Sequence, residues 1–404
     1  MSNVRNNNTP MTKEEIFLVA PLRTPIGKFG GGLVSLSAAD LGVEAAKASL
    51  AESAIDPEAI DEVIFGNARQ AGVGPNVARQ IAIRSGLRKE APAYTVNQAC
   101  GSGLRSIMNA ADQILLGRSD VILAGGTESM SNTPYLLTGA RWGMRMGNGE
   151  VVDGMIRDGF MCPLADEMMG STAETLADQY EISREEQDLY AIESQQRAGK
   201  AYAENRFASE ITPVEITGKK GTVVVSRDEH PRFEASLDSM AKLAPAFRAN
   251  GTVHPGNSSG VTDGAAAMIV ASARAVRTHG LKPLARIIGH SQAGVDPKVM
   301  GLGPVPATRK LLSQAGMVLD EIDLIELNEA FAAQVIACNR ELDLDPSRLN
   351  VHGGAIALGH PIGCTGARIV TTLVRALHSR QKKIGLATLC VSGGMGLSLL
   401  IERV

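Results

Sequence analysis

One order of local signals occurs twice in this chain: a helical stretch, a short apolar strand and a double glycine, closing at Gly125-Gly126 and again at Gly393-Gly394. Strands alternating with helices build a layered sheet rather than a bundle or a set of hairpins. In the first copy, Ile16 to Ala20, Glu62 to Gly66, Ala93 to Val96 and Val121 to Ala124 read as strands. Asp40 to Ala51, with Asp40 as N-cap, and Asn76 to Gly86 read as helices. Beyond Cys100, apolar residues at Leu104, Ile107, Met108, Ala111, Ile114 and Leu115 recur at helical spacing. In the second copy, Leu324 to Leu327, Leu349 to Val351, Ile384 to Leu389 and Leu397 to Ile401 read as strands, with helices over Phe331 to Arg340 and Ala367 to His378. A duplicated α/β fold with mainly parallel sheets is predicted.

From Met130 to about Ser259 the rhythm breaks. This stretch is rich in proline and charge, holds seven of the fifteen methionines between Met130 and Met169, and carries a capping-box signal at Ser183-Arg184-Glu185-Glu186. It reads as an insertion that covers the first unit. Unbranched thioether side chains suit irregular loop packing; the alternative is an adaptable lining for a flexible ligand arm.

Several function classes are excluded by composition. Aromatics are 3% of the chain and the net charge is −3, so neither base stacking nor a global attraction to polyanions is available, and an anionic substrate needs a local basic patch. Five scattered cysteines without a CxxC pair argue against a disulfide framework and for a reducing compartment. Met1 to Pro10 is polar and resembles neither a signal nor a transit peptide, and no long apolar run predicts a membrane span. A cytoplasmic protein is expected, without nucleic-acid or membrane partners.

Three separated segments carry reactive side chains beside glycine. They are Cys100 in Asn97-Gln98-Ala99-Cys100-Gly101-Ser102-Gly103, His360 in Gly359-His360-Pro361, and Cys390 before Val391-Ser392-Gly393-Gly394. Two thiols and an imidazole can attack a thioester and move protons around it. Cys100 lies where a strand gives way to a helix, and the helix N-terminus favours a thiolate; a small buried hydrophobe is the alternative. His360 is the candidate base, with His352 as competitor. A second thiol at Cys390 becomes useful if a carbon acid next to a thioester must lose or gain a proton. Cys338 reads as core, and Cys364 as a neighbour of the site. Asn328, in Asn328-Glu329-Ala330-Phe331, is either an oxyanion donor or a plain helix cap.

Together these residues resemble the thiolases over nearly the whole length, from about Ile16 to Glu402. The stretches that carry the resemblance are Arg23-Thr24-Pro25-Ile26-Gly27, Gly125 to Ser131, Asn328 to Phe331, Gly359-His360-Pro361 and the Cys390 turn, in the family's order. The likeness is greatest to acetyl-CoA acetyltransferases, then to the broader 3-ketoacyl-CoA thiolases. The resemblance implies a thiolase fold: two similar α/β halves with mixed five-stranded sheets stacked in αβαβα layers, plus an inserted loop domain. The implied domains are 1–129 completed by 262–284, 130–261, and 285–404.

It also implies reversible Claisen condensation of two acetyl-CoA to acetoacetyl-CoA and CoA through an acetyl-Cys100 intermediate. His360 would take the thiol proton and Cys390 the methyl proton. A water held by Asn328, with His360, would stabilise the enolate, and the backbone N–H groups of Cys100 and Ser392 the tetrahedral oxyanion. The family usually shows glycine where this chain has Ser392. Arg232, Ser259, Met169, Phe247, Met300 and Phe331 match positions for coenzyme A contacts and pocket walls. No metal and no cofactor is implied, CoA thioesters being substrates, and a homodimer or homotetramer is expected. Met168 and Gly363-Cys364-Thr365-Gly366 resemble degradative members, whereas Val299-Met300-Gly301 resembles biosynthetic ones. Broad-range degradation of 3-ketoacyl-CoA is therefore the alternative. Carrier-dependent condensing enzymes typically lack a second cysteine at the Cys390 position, and a mere binder has no use for one.

Overall fold

The computed structural model describes residues 14–219 and 221–404; the Met1 to Pro10 segment lies outside them. Its frame is nine principal strands: β1 (Ile16–Arg23), β2 (Glu62–Gly66), β3 (Ala93–Val96), β4 (Val121–Ser129), β5 (Thr262–Ser272), β6 (Pro283–Gly294), β7 (Leu324–Leu327), β8 (Ile384–Val391) and β9 (Met395–Arg403). Eight longer helices accompany them: α1 (Ala38–Ser53), α2 (Val77–Arg84), α3 (Ser102–Leu115), α4 (Met169–Gln179), α5 (Arg184–Ala203), α6 (Pro304–Ala315), α7 (Ala332–Leu342) and α8 (Ile362–Ser379).

The first half runs strand, helix, strand, helix, strand, helix, strand, strand, and the second repeats that order without its third strand. In the first, β3-β2-β4-β5-β1 lie side by side, with β2 parallel to β3 and β4 and the rest antiparallel. In the second, β7-β8-β9-β6 repeat that order, β7 parallel to β8. The fifth member of the second sheet is reduced to one bridge, Ile325 to Leu349, so the strand predicted at 349–351 is not formed as such. Edge pairing of β1 with β6 joins the halves into a ten-stranded sheet that includes the short Gly27–Lys28 strand.

Alternation along the strands explains the layers. In β5, Ala265, Ala267, Ile269 and Ala271 face α1 and α2, whereas Ala266, Met268 and Val270 face α3 and α8. A strand covered on both faces must be apolar throughout, as β5 nearly is. On the other side, Leu397, Leu399 and Ile401 of β9 also meet α3 and α8, while Leu400 joins Ile325 and Leu386 beneath α6 and α7. The result is helix, sheet, helix pair, sheet, helix, with α3 and α8 in the middle.

The middle pair is packed backbone to backbone. A Cβ on Gly366 of α8 would lie 2.1 Å from the Leu104 nitrogen of α3. Only glycine permits that approach, and it draws the N-terminal ends of α3 and α8 together.

Helix α1 starts earlier than expected. Ser37 is its N-cap, and Asp40 is the third helical residue, returning a hydrogen bond to the Ser37 N–H at 2.8 Å. The reciprocal box satisfies two donors where a lone Asp cap would satisfy one. In the inserted stretch, Ser183 caps α5 by accepting from the Glu186 N–H at 3.1 Å. Helix α4 buries Leu176 and Ala177 against Ala333 and Ala337 of α7. Among the described residues, no helix is long and apolar enough to cross a membrane.

Candidate active site

Cys100 sits on a sharp elbow between β3 and α3. Ala99, just before it, has φ 45°, a left-handed angle that costs a non-glycine residue on the order of 1–3 kcal/mol. Local bonds hold it there: Asn97 Oδ1 accepts from Ala99 N–H at 3.0 Å, and Ser102 Oγ accepts from Gln98 N–H at 2.9 Å. The elbow leaves Cys100 as the one cysteine of five that is not fully buried.

Cys390 lies near the end of β8 and comes to the same place. Gly101 abuts the neighbour of Cys390, a Cβ there falling 3.0 Å from Val391 Cγ2. The Cys100 and Cys390 thiols are close enough that charge on Cys100 pushes Cys390 further up, after burial. Past Cys390 the chain turns, and the backbone N–H of Ser392 favours the charged form of the Cys100 sulfur. Ser392 stays outside the left-handed region that Gly393 and Gly394 occupy, so its side chain is accommodated.

His360 precedes α8 and is buried. Thr365 Oγ1 donates to the Pro361 carbonyl at 3.0 Å and therefore presents a lone pair to His360 Nδ1, 2.6 Å away. This selects the Nδ1–H tautomer and leaves Nε2, which has no partner among the described residues, as an acceptor. Burial, then Arg368 and Arg69, push the imidazole down to about 3, so it is neutral at rest. Burial also pushes the Cys100 thiol up, against the Ser392 N–H and Arg69. The helix-end argument for a resting thiolate is thus overruled by desolvation, and the resting pair is thiol and neutral imidazole.

His360 borders a cavity of about 760 Å³, lined also by Met169, Phe247, Phe331, Ser259 and Arg232, with Cys100 and Cys390 packed behind its lining side chains. Ile362, Met130 and Met155 of its wall pack with Cys100, whereas Met169, Phe247 and Phe331 pack with Cys390. Met300 does not line the cavity as expected; it is buried behind the wall, against the Cys390 cluster. Met168 joins Met130, Met155 and Met169 in the lining, while Met144, Met146 and Met161 are exposed. Four of the seven methionines of this stretch therefore line the cavity, and three face solvent.

Asn328 is not a cap, since Phe331 occupies the N-cap of α7. Its N–H donates to the Thr388 carbonyl at 3.0 Å, and both side-chain amide atoms are buried without a partner. His352 packs edge-on against Phe207 and does not line the cavity. Cys338 is core and donates to the Gly301 carbonyl at 3.1 Å. Cys364, expected beside the site, is buried in the central core and pushed up to about 12 by burial.

The description "Thiolase, N-terminal domain" matches residues 16–274 and "Thiolase, C-terminal domain" matches residues 281–403. The chain belongs to the thiolase family. It is 50% identical to the acetyl-CoA acetyltransferase of Syntrophomonas wolfei, over 98% of this chain and 100% of that one. The crystal structure of the Bacillus anthracis acetyl-CoA acetyltransferase superposes with a TM-score of 0.95 at 44% identity, covering 97% of this chain and 99% of that one. Human mitochondrial 3-ketoacyl-CoA thiolase follows at 0.94 and 44%, covering 97% and 99%.

Three residues of this thiolase escaped the sequence reading. Thr365 orients His360; its place five residues on, inside the first helical turns, was the available signal. Glu128 accepts from Asn67 Nδ2 at 2.8 Å and from the N–H groups of Ala68, Arg69 and Gly363 at 3.1, 3.1 and 2.9 Å. One buried carboxylate thereby ties the loop after β2 to the start of α8. Its sequence signal was an acid closing an otherwise apolar strand. Arg69, the third, gave no local signal.

Proposed function

We propose that the chain is an acetyl-CoA C-acetyltransferase, condensing two acetyl-CoA reversibly to acetoacetyl-CoA and CoA through an acetyl-cysteine. What supports this reading is a neutral imidazole with a free Nε2 on the cavity wall, and two neighbouring thiols packed directly behind that wall. As Cys100 Sγ bonds to the acetyl carbon, its proton passes to His360 Nε2 and then to the departing CoA sulfur. The oxyanion of that step is met by the N–H groups of Cys100 and Ser392. The Cys390 thiol gives its proton to His360, and the resulting thiolate takes a methyl proton from a second acetyl-CoA. The enolate carbon then bonds to the acetyl carbon, the Cys100 C–S bond breaks, and the Cys100 sulfur recovers a proton from His360. The enolate oxygen is stabilised by His360 and by Asn328, directly or through a water. Buried donors already in place need no reorganisation, and one such donor is typically worth about 10²–10³ in rate.

Arg232 and Ser259 on the cavity wall suit the nucleotide and pantetheine parts of coenzyme A. A dimer or tetramer in the cytoplasm is the assembly we favour; exposed Tyr135, Leu137 and Trp142 on the inserted stretch supply apolar surface for it.

Mass spectrometry after incubation with acetyl-CoA tests the roles. Cys100→Ala should remain unmodified, whereas Cys390→Ala should be acetylated yet neither condense nor cleave. An unacetylated Cys390→Ala would reverse the assignment. A second reading, broader 3-ketoacyl-CoA cleavage, is favoured by the apolar Met168 in the wall. Thiolysis of a series from four carbons upward decides: kcat/KM rising steeply with length supports it.

A further inference from the structure

Arg69 follows β2 directly and is 5% exposed. Its Nη1 donates to the Asp158 carbonyl at 3.3 Å, while Nε and Nη2 are buried with no partner among the described residues. Leaving buried charged donors unpaired costs more than the 1–3 kcal/mol of a neutral group, so such a side chain needs a reason to stay. Its position is held closely. The guanidinium lies 5.6 Å over the Phe160 ring, and a Cβ on Gly159 would sit 2.0 Å from Nη2. Its own N–H is bound by Glu128, and Ala68, Phe160 and Cys100 belong to one packed cluster.

We propose that Arg69 is a positioning residue for Cys100: its buried, half-engaged guanidinium supplies the positive charge against which the Cys100 thiolate forms. This rests on the reading of Cys100 as the nucleophile. The groups around that sulfur are few. Arg69 comes from the loop after β2, Glu128 from β4, Cys390 and the Ser392 N–H from β8 and its turn, and neutral His360 from the loop before α8. Arg69 carries the only full positive charge of that set. It opposes the burial that raises the thiol, while Glu128 works against it. Among the described residues no carboxylate hydrogen-bonds the guanidinium, although buried Glu128 lies close enough to feel its charge.

The test is alkylation of Cys100 by iodoacetamide across the neutral and mildly alkaline range, located by peptide mass mapping, in the wild type, R69K, R69Q and R69M. At a given pH the two neutral variants should react about tenfold more slowly or worse, corresponding to a rise of about one pKa unit, and R69K should keep most of the wild-type rate. Equal rates in R69Q and R69M, or R69K as slow as either, overturn the proposal. Should the neutral variants not fold, the wild type decides. Anionic iodoacetate should gain on neutral iodoacetamide at Cys100 relative to free glutathione, and a ratio no higher than glutathione's overturns it. Failure of wild-type Cys100 to take an acetyl group from acetyl-CoA would instead remove the nucleophile reading itself.

Discussion

His360 Nδ1 lies 2.6 Å from the Thr365 hydroxyl, inside the helix that the histidine's own loop begins. Because that hydroxyl donates to Pro361, it can only accept from the ring, and one threonine sets both the tautomer and the angle of the imidazole.

Thr365→Val keeps the shape and removes the acceptor. We expect kcat for thiolysis to fall by about 10- to 100-fold, the scale of a misplaced catalytic group, with KM nearly unchanged. Steady-state kinetics measure it; an unaffected kcat would mean that packing alone orients the ring.

Asn328 offers a buried amide with neither Nδ2 nor Oδ1 engaged by the protein. Asn328→Ala should lower condensation by about 10²-fold or more while leaving acetylation of Cys100 by acetyl-CoA in place. Rapid-quench measurement of the two half-reactions separates them, and equal losses in both would move Asn328 out of the enolate step.

Stability should fall with acid through histidines that are buried neutral. His352 is held down to about 4 by burial and by nearby Arg380 and Arg206. The unfolded chain takes its proton below about 6.5, so folded-state stability is full above that pH and is lost as pH drops toward 4. At pH 5 the loss from this residue is on the order of 2 kcal/mol. His352→Gln should flatten the dependence of the urea midpoint on pH between these limits; an unchanged slope would show that the ring is not shielded.

Where the chain's local chemistry settled matters, the reading held. The helical period beyond Cys100 that became α3, and the apolar run of β9, are properties of neighbouring residues. Cap detail was harder: Ser37 and Asp40 share one box, and either alone resembles a cap. The 349–351 strand failed because an apolar run specifies that a segment is buried, not that it finds a partner edge along its length.

The sequence by itself determined which atoms could react and where several of the strands and helices lie, because both depend on side-chain identity and short-range period. Only the tertiary structure decided that those atoms meet. The glycine contact between Gly366 and Leu104 brings the starts of α3 and α8 together, and β8 runs alongside them. It also decided the resting charge: a helix end favours thiolate locally, but burial acts through every atom packed around the sulfur and overrides it.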